Sequence, residues 1–246
     1  MTTIDEHAKH SAAHRATVSN RLRGERRLGT WLTLPSYVVM LLVTAYPLVY
    51  ALFLSLYNYR LTDPAGRTFV GLRNYGVILT DPLWWNDFAT TLFITVVTVG
   101  IELVLGFMFA YVMLRIIRGR GLMRTAILIP YGIVTVVSAF VWRYGFAIDS
   151  GFVNGWLHLG DFNWFGERWS ALFVICLSEI WKTTPFISLL LLAGLVQVPE
   201  DMQEAAQVDG ATAWQRLWKI TLPNMKAAIM VALLFRTLDA WRIFDN

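Results

Sequence analysis

Cysteine is almost absent from this chain of 246 residues: Cys176 stands alone, inside an apolar run. A disulfide within the chain is impossible, and the role that remains is a small buried hydrophobe. Charge is scarce as well, at 15% of residues, against roughly 25% in an ordinary soluble chain. No Gly-rich loop ending in Lys-Ser/Thr is present to cradle nucleotide phosphates, so the chain does not hydrolyse ATP itself. Nor is there a His-Glu-x-x-His, a paired cysteine motif or a Gly-x-Ser-x-Gly elbow. Any catalysis therefore belongs to a partner, and neither cofactor nor metal is expected on this chain. His7, His10 and His14 have helical spacing, but their polar, Ser- and Ala-containing surroundings read as a surface helix or disordered tail, not a metal site. His158 is isolated. The first 30 residues lack a short apolar core and cleavage site, so no signal peptide is expected. Asp5, Glu6 and Glu25 count against a transit peptide.

What is abundant is apolar surface: 56% of residues are hydrophobic and 11 are Trp, a residue that anchors at lipid–water interfaces. A bilayer core of ~30 Å needs ~20 apolar residues per helix. Five segments qualify. Leu28 to Tyr59 contains no charge, Phe88 to Leu114 is interrupted only by Glu102, and Thr125 to Trp142 is the third. The fourth runs from Ser170 to Val198 and carries Glu179, Lys182 and Pro185. The fifth starts near Ala227 and carries Arg236, Asp239 and Arg242. The expected fold is an all-α membrane protein, a transmembrane helix bundle with five visible spans. The fifth segment ends like the middle or far end of a span, so a sixth helix is expected beyond Asn246.

The net charge of +4 raises nucleic acid as a partner, but the basic residues cluster beside apolar segments. Membrane orientation explains them better, and no nucleic acid is expected. The tail before the first span holds six Lys and Arg, and Arg115–Arg124 holds four Arg; the alternate loops, Arg60–Asp87 and Arg143–Trp169, are longer but hold three and two. By the positive-inside rule the tail and the Arg115–Arg124 loop are cytoplasmic, and so is Glu204–Pro223. The expected organisation is a cytoplasmic tail over residues 1–30 and one transmembrane domain over 31–246, with a cytoplasmic loop at 199–225.

That loop is the most informative stretch. Pro199 suits the start of a helix, and Glu200 and Asp201 sit where its N-terminus favours negative charge. Ala205 and Ala206 permit close approach of another surface, and Gly210 can take the left-handed conformation that ends a helix. A second amphipathic stretch follows, with Trp214, Leu217, Trp218 and Leu222 on one face and Arg216 and Lys219 elsewhere, until Pro223 breaks it. The spacing predicts a helix–turn–helix. Two uses remain open on local physics: docking a soluble partner, or lying as an amphipathic hairpin on the lipid surface.

Glu204, Ala205, Ala206, Gly210, Ile220, Leu222 and Pro223 resemble the Glu-Ala-Ala signature of ATP-binding-cassette importer permeases at every spaced position, which implies that they, with Asp209, form the ATPase-coupling element. Asp209-Gly210-Ala211 is similar to the sugar-importer branch. Phe69 to Tyr75, Pro47 with Ser55, and Thr184-Pro185-Phe186 before a Leu-rich run fit the same branch, maltose-type permeases and among them trehalose importers. The resemblance covers nearly the whole chain. It implies a subunit of the cell inner membrane, paired with a second permease, served by two ATPase subunits that bind ATP and Mg, and fed by an extracytoplasmic sugar-binding protein. Glu204 and Gly210 would contact the ATPase. The implied substrate is a disaccharide, trehalose first.

A charge at the bilayer centre costs ~2.5–3.5 kcal/mol on insertion scales, so the intramembrane charges demand a role. Glu179 with Lys182, and Arg236 with Asp239, each lie three apart on a helix face. They either neutralise each other and join helices, or line a polar path. The resemblance implies sugar-facing positions at Glu179, Lys182, Thr183 and Phe186, and at Arg236, Asp239, Ala240 and Ile243. Glu102 would pair with Arg236 or Lys182, or sit protonated in the bundle. The rival readings are an ion-coupled transporter using Glu102, Glu179 and Asp239, and a membrane enzyme, for which the outer carboxylates are too scattered.

Overall fold

The computed structural model describes residues 3–60, 62–116 and 118–243; the side chains of residues 3–26, 60, 63–65 and 120 fall outside the description. His7, His10 and His14 belong to that excluded set. The chain forms two compact units, Met1–Pro82 and Leu83–Asn246.

In the first unit, α1 (Thr3–Ser55) contains the apolar stretch Arg27–Ser55, long enough to cross a membrane. A short antiparallel hairpin follows, β1 (Tyr57–Arg60) with β2 (Asp63–Phe69), pairing Tyr57 with Phe69 and Asn58 with Thr68. The chain is thus not helical throughout. Tyr57, Tyr59, Thr68 and Phe69 favour strands, and this run is too short to stand out beside long apolar segments. Then comes α2 (Arg73–Thr80). Asn74 Nδ2 donates to the carbonyls of Ser55 and Tyr57, at 2.8 and 3.0 Å, and Tyr75 shares a 2.7 Å hydrogen bond with Ser55. A helix C-terminus leaves carbonyls without partners, and Asn74 supplies donors there. The Phe69–Tyr75 segment is therefore a clip that fixes the chain as it leaves α1.

In the second unit, α3 (Pro82–Arg115) and α7 (Arg168–Val196) are single long helices matching the expected second and fourth spans. The third expected span is not continuous. It is α4 (Arg120–Leu128), a 3-10 turn over Pro130–Gly132, and α5 (Thr135–Gly145). Pro130 has no amide to donate, and Ile133 and Val134 take extended backbone before α5 begins. The fifth segment forms α11 (Lys226–Ala240), and the helical stretch ahead of it, Ala213–Asn224, meets it at 69°. Among the described residues three helices can cross a membrane singly, and the bent pair gives a fourth if it counts as one span.

The loop after α5 has more order than its turn-rich composition suggests. It contains α6 (Val153–Leu157), where buried Asn154 donates to the Phe162 carbonyl at 2.9 Å and accepts from the Trp164 indole at 2.7 Å. Trp164 in turn meets Phe146, Phe162 and Phe173.

Two apolar clusters hold α3, α7 and α11 together. One gathers Ala110, Met113, Ile187, Leu191, Leu195 and Ala232; the other gathers Ile94, Leu172 and Cys176, with Ile243 against it. Cys176 is buried and free, as its apolar setting predicts. Close approach of α7 to α11 depends on Gly194, where an added Cβ would lie 2.5 Å from the Cβ of Ala228. Small residues at such crossings let membrane helices pack backbone to backbone. Gly194→Ile is expected to destabilise the subunit by about 1–3 kcal/mol, the usual range for overpacking. Thermal melting of the purified protein reads this out, and an unchanged melt would mean the crossing is not that tight.

Candidate functional site

The hairpin between α7 and α11 forms as the sequence predicts. Its first arm is α8 (Glu200–Val208), entered at Pro199 with Glu200 and Asp201 in the first turn. Gly210 ends it at φ +78°, and the Ala211 amide donates to the Ala206 carbonyl at 2.9 Å. The second arm starts with α9 (Ala213–Arg216), opened by a capping box. The Gln215 amide donates to the Thr212 hydroxyl at 3.3 Å, and the Thr212 amide donates to the Gln215 side chain at 2.8 Å. Thr212-x-x-Gln215 is a sequence signal for such a start, and it was open to reading. The arm continues without a break through a π-helical turn, Leu217–Thr221, and α10 (Leu222–Asn224). Pro223 does not break the arm, because it sits at the start of a short helical turn, where its missing amide costs nothing. The bend comes at Met225.

Two side-chain bridges brace the arms: Gln203 Nε2 donates to Thr221 Oγ1 at 2.9 Å, and Arg216 Nη1 donates to Gln207 Oε1 at 2.9 Å. The face of the first arm stays open. Glu204, Ala205, Asp209 and Gly210 are exposed, Ala206 is half-buried, and Val208 is 88% exposed. Ile220 and Leu222 are half-buried, and Pro223 is exposed. A rigid, small-residue tip with a free apolar residue is the geometry of a docking element.

The second feature is a charged layer between the two apolar clusters. Arg236 of α11, only 1% exposed, reaches both neighbouring long helices. Its Nε donates to Glu102 Oε2 at 2.6 Å and its Nη2 to Glu102 Oε1 at 3.0 Å, a bidentate pair across to α3. Nη2 also donates to Glu179 Oε2 on α7 at 2.8 Å, and Nη1 to Asp239 Oδ2 at 2.9 Å. The Thr183 hydroxyl lies 2.6 Å from Glu102 Oε1 and 2.7 Å from the Glu179 carbonyl. Four of the five guanidinium N–H directions are thus used, three of them toward residues from other helices.

The expected pairing along each helix is therefore only part of the arrangement. Arg236 and Asp239 do pair, but Glu179 reaches across to α11, and Lys182 Nζ donates to the Thr135 hydroxyl of α5. Glu102 takes the first of its expected alternatives, the pair with Arg236. Of the eight positions expected to face a path, Glu179, Thr183, Arg236 and Ala240 are buried, and Ile243 packs on an apolar cluster. Lys182 and Phe186 are half-buried, while the Asp239 side chain is 65% exposed. Phe186 stacks on Tyr131 with centroids 5.3 Å apart. Tyr131 and Thr135 were not singled out from the sequence. Their signal was the Pro130-Tyr131-Gly132 break, which presents a ring and a hydroxyl to α7.

The pattern of one known family, the binding-protein-dependent transport system inner membrane component, matches residues 102–244, which include both the charged layer and the hairpin. The chain belongs to that family. This inner membrane component is 54% identical over 222 residues to the trehalose transport system permease protein SugA of Mycobacterium tuberculosis, covering 90% of this chain and 72% of that one. It is 39% identical over 226 residues to the trehalose/maltose transport system permease protein MalF of Thermococcus litoralis, covering 90% and 76%. Its fold is similar to that of a bacterial ABC transporter involved in the import of the acidic polysaccharide alginate. The TM-score is 0.71 at 21% identity, with 92% of this chain and 77% of that chain covered. The expected importer-permease resemblance and helix-bundle membrane fold hold. The chain is a permease subunit of an ATP-binding-cassette importer, and the ion-coupled alternative is not favoured.

Proposed function

We propose that this permease subunit forms half of a translocation path for a disaccharide, trehalose first, opened alternately to the two sides by ATP hydrolysis in partner subunits. The observation that carries this reading is the exposed, braced tip at Glu204–Gly210, coupled with family membership and with relatives named for trehalose and maltose transport. The N-terminus lies in the cytoplasm, as the Lys and Arg distribution supports. Two ATPase subunits, which bind ATP and Mg, receive the tip; Glu204 makes polar contact, and Ala205, Ala206, Asp209 and Gly210 allow close approach. Ile220, Leu222 and Pro223 set the second arm. A second permease completes the path, and an extracytoplasmic sugar-binding protein delivers the substrate; one neighbouring fold was solved with such a periplasmic protein.

Within the path, the exposed Asp239 carboxylate, Lys182 and the Phe186–Tyr131 pair supply what a sugar needs, charged hydrogen-bond partners and an aromatic face. Arg236, Glu179 and Thr183 act behind them by holding Asp239 in place. Co-purification of the tagged chain from its own host is expected to recover an ATPase and a second permease in stoichiometric amounts. The chain alone, from membranes that still transport, would sink the reading. In the same preparation Asp239→Ala is expected to raise the KM for sugar uptake by about tenfold or more, the worth of one charged hydrogen bond. A raised KM with an unaltered thermal melt supports the path assignment, whereas loss of folded protein would make Asp239 structural.

A further inference from the structure

The two arms of the hairpin carry opposite charge. The first arm and turn, residues 200–210, contain Glu200, Asp201, Glu204 and Asp209 and no Lys or Arg, whereas residues 211–226 contain Arg216, Lys219 and Lys226 and no Asp or Glu. A docking tip does not require this partition. It does suit an element with one arm turned toward a soluble protein and the other toward a surface of negative charge.

Geometry points the same way. The second arm, Ala213–Asn224, lies at 69° to α11. With α11 along the bilayer normal, the arm runs within about 20° of the membrane plane, the attitude of an interfacial helix. One of its sides is spent inside the protein, where Leu217 and Ile220 are half-buried and Thr221 accepts from Gln203. Another side is open. Trp214 is 67% and Trp218 55% exposed, one helical turn apart, their rings edge to face at 5.6 Å. Neither indole N–H has a hydrogen-bond partner among the described residues, and Lys219 and Lys226 are exposed with no carboxylate beside them.

Two exposed indoles side by side on the open face of this arm are poorly placed in water. At a bilayer surface the ring buries among acyl carbonyls while its N–H donates to headgroup oxygens, which is why Trp collects there. Basic side chains beside them pair with anionic headgroups of the cytoplasmic leaflet. We propose that the second arm rests on that leaflet, with Trp214 and Trp218 inserted at headgroup level and Lys219 on anionic phospholipid. The lipid contact gives the coupling hairpin a fulcrum: force applied to the tip rotates the arm about the membrane surface and reaches α11 through the bend at Met225. The choice of leaflet rests on the cytoplasmic orientation given above; the lipid contact itself does not depend on which protein receives the tip.

The test uses the whole transporter, with the partners that co-purify, in nanodiscs of phosphatidylcholine containing a minor fraction of phosphatidylglycerol. In a Cys176→Ser background, Trp214→Cys, Trp218→Cys and Val208→Cys are each labelled with a nitrobenzoxadiazole fluorophore. Quenching by doxyl lipid is compared with quenching by aqueous iodide. The labels at 214 and 218 are expected to be quenched several-fold more by doxyl lipid than the label at 208. Quenching by iodide alone would overturn the proposal, and so would shielding from both quenchers, which would place the indoles against a protein.

A second measurement keeps native tryptophans as the reference. Uptake by the unaltered transporter is expected to rise with the phosphatidylglycerol fraction, and Trp214→Ser/Trp218→Ser/Lys219→Gln to lose that dependence while still co-purifying with the ATPase. Loss of the ATPase in this variant would overturn the proposal by assigning the face to that partner. Failure of the unaltered chain to bring down an ATPase would instead strike the docking reading, leaving the doxyl result to stand or fall separately.

Discussion

Arg236→Met is expected to lose most of the folded subunit and with it all uptake. The guanidinium is bonded to three carboxylates, and both Glu102 and Glu179 are buried beside it. Removing one partner from a buried ion pair costs ~3–5 kcal/mol, because the charges left behind keep their desolvation penalty and lose their compensation. Native proteins are typically only ~5–15 kcal/mol more stable than their unfolded forms, so a loss of that size is expected to lower the yield sharply. Size-exclusion of fluorescently tagged protein after a heat step reads the effect directly. Arg236→Lys is expected to fall between, since an ammonium makes one strong contact where the planar guanidinium spans Glu102 bidentately and also reaches Glu179. The diagnostic variant is the triple change Glu102→Gln, Glu179→Gln and Arg236→Met. It removes the buried charges together and leaves only the exposed Asp239 carboxylate, and recovery of folded protein is expected, with uptake still impaired. If the triple change is no better folded than Arg236→Met, the layer does not stabilise through charge compensation.

That layer explains why the sequence conveyed its residues but not their roles. Intramembrane charges are conspicuous one by one, so Glu102, Glu179, Lys182, Arg236 and Asp239 all stood out. Their partners depend on how α3, α7 and α11 rotate about their axes, and rotation is set by contacts between helices, such as Gly194 against Ala228. Spacing along one helix suggested Glu179 with Lys182; packing between helices sent Glu179 to Arg236 and Lys182 to Thr135. The same limit applies to the third span. Its apolar composition is continuous from Thr125 to Trp142, but hydropathy says nothing about backbone hydrogen bonds, and Pro130 with Gly132 interrupts them.

Local signals fared better than long-range ones. Pro199, Gly210 and the two acidic residues after Pro199 mark the start and end of α8 through the chemistry of the helix termini themselves. Asn74 is the opposite case. Nothing near it in the chain announces that its amide will cap α1, because Ser55 and Tyr57 lie 19 and 17 residues away.

The hairpin connects α7 to α11, and Arg236 ties α11 to Glu179 of α7 and Glu102 of α3. A displacement of the tip is therefore delivered to both ends of one ion-paired layer, with Asp239 carried on its exposed side. Packed helices with few alternative arrangements transmit small displacements as rigid shifts, which is what alternating access requires.

In the proposed coupling that displacement enters at Gly210, and its replacement is expected to uncouple ATP hydrolysis from uptake with the permease still folded. At φ +78° a residue with a Cβ is strained by roughly 1–2 kcal/mol, so Gly210→Val loosens the turn and adds bulk at the tip. Among the described residues nothing beyond its chain neighbours lies within 4 Å of an added Cβ, so the subunit itself has room for the larger residue. The thermal melt of the permease should move little, while uptake falls at least about tenfold, the factor that corresponds to 1.4 kcal/mol at a docking contact. Strain and bulk separate with Gly210→Asn, because Asn enters the left-handed region with small penalty but is as large as the cleft of a partner would feel. A docking role predicts that Asn uncouples as Val does, and that co-purification of the ATPase weakens in both. Full uptake with Gly210→Asn would reduce Gly210 to a turn residue and move the point of force to Glu204, Ala205 and Ala206 on the first arm.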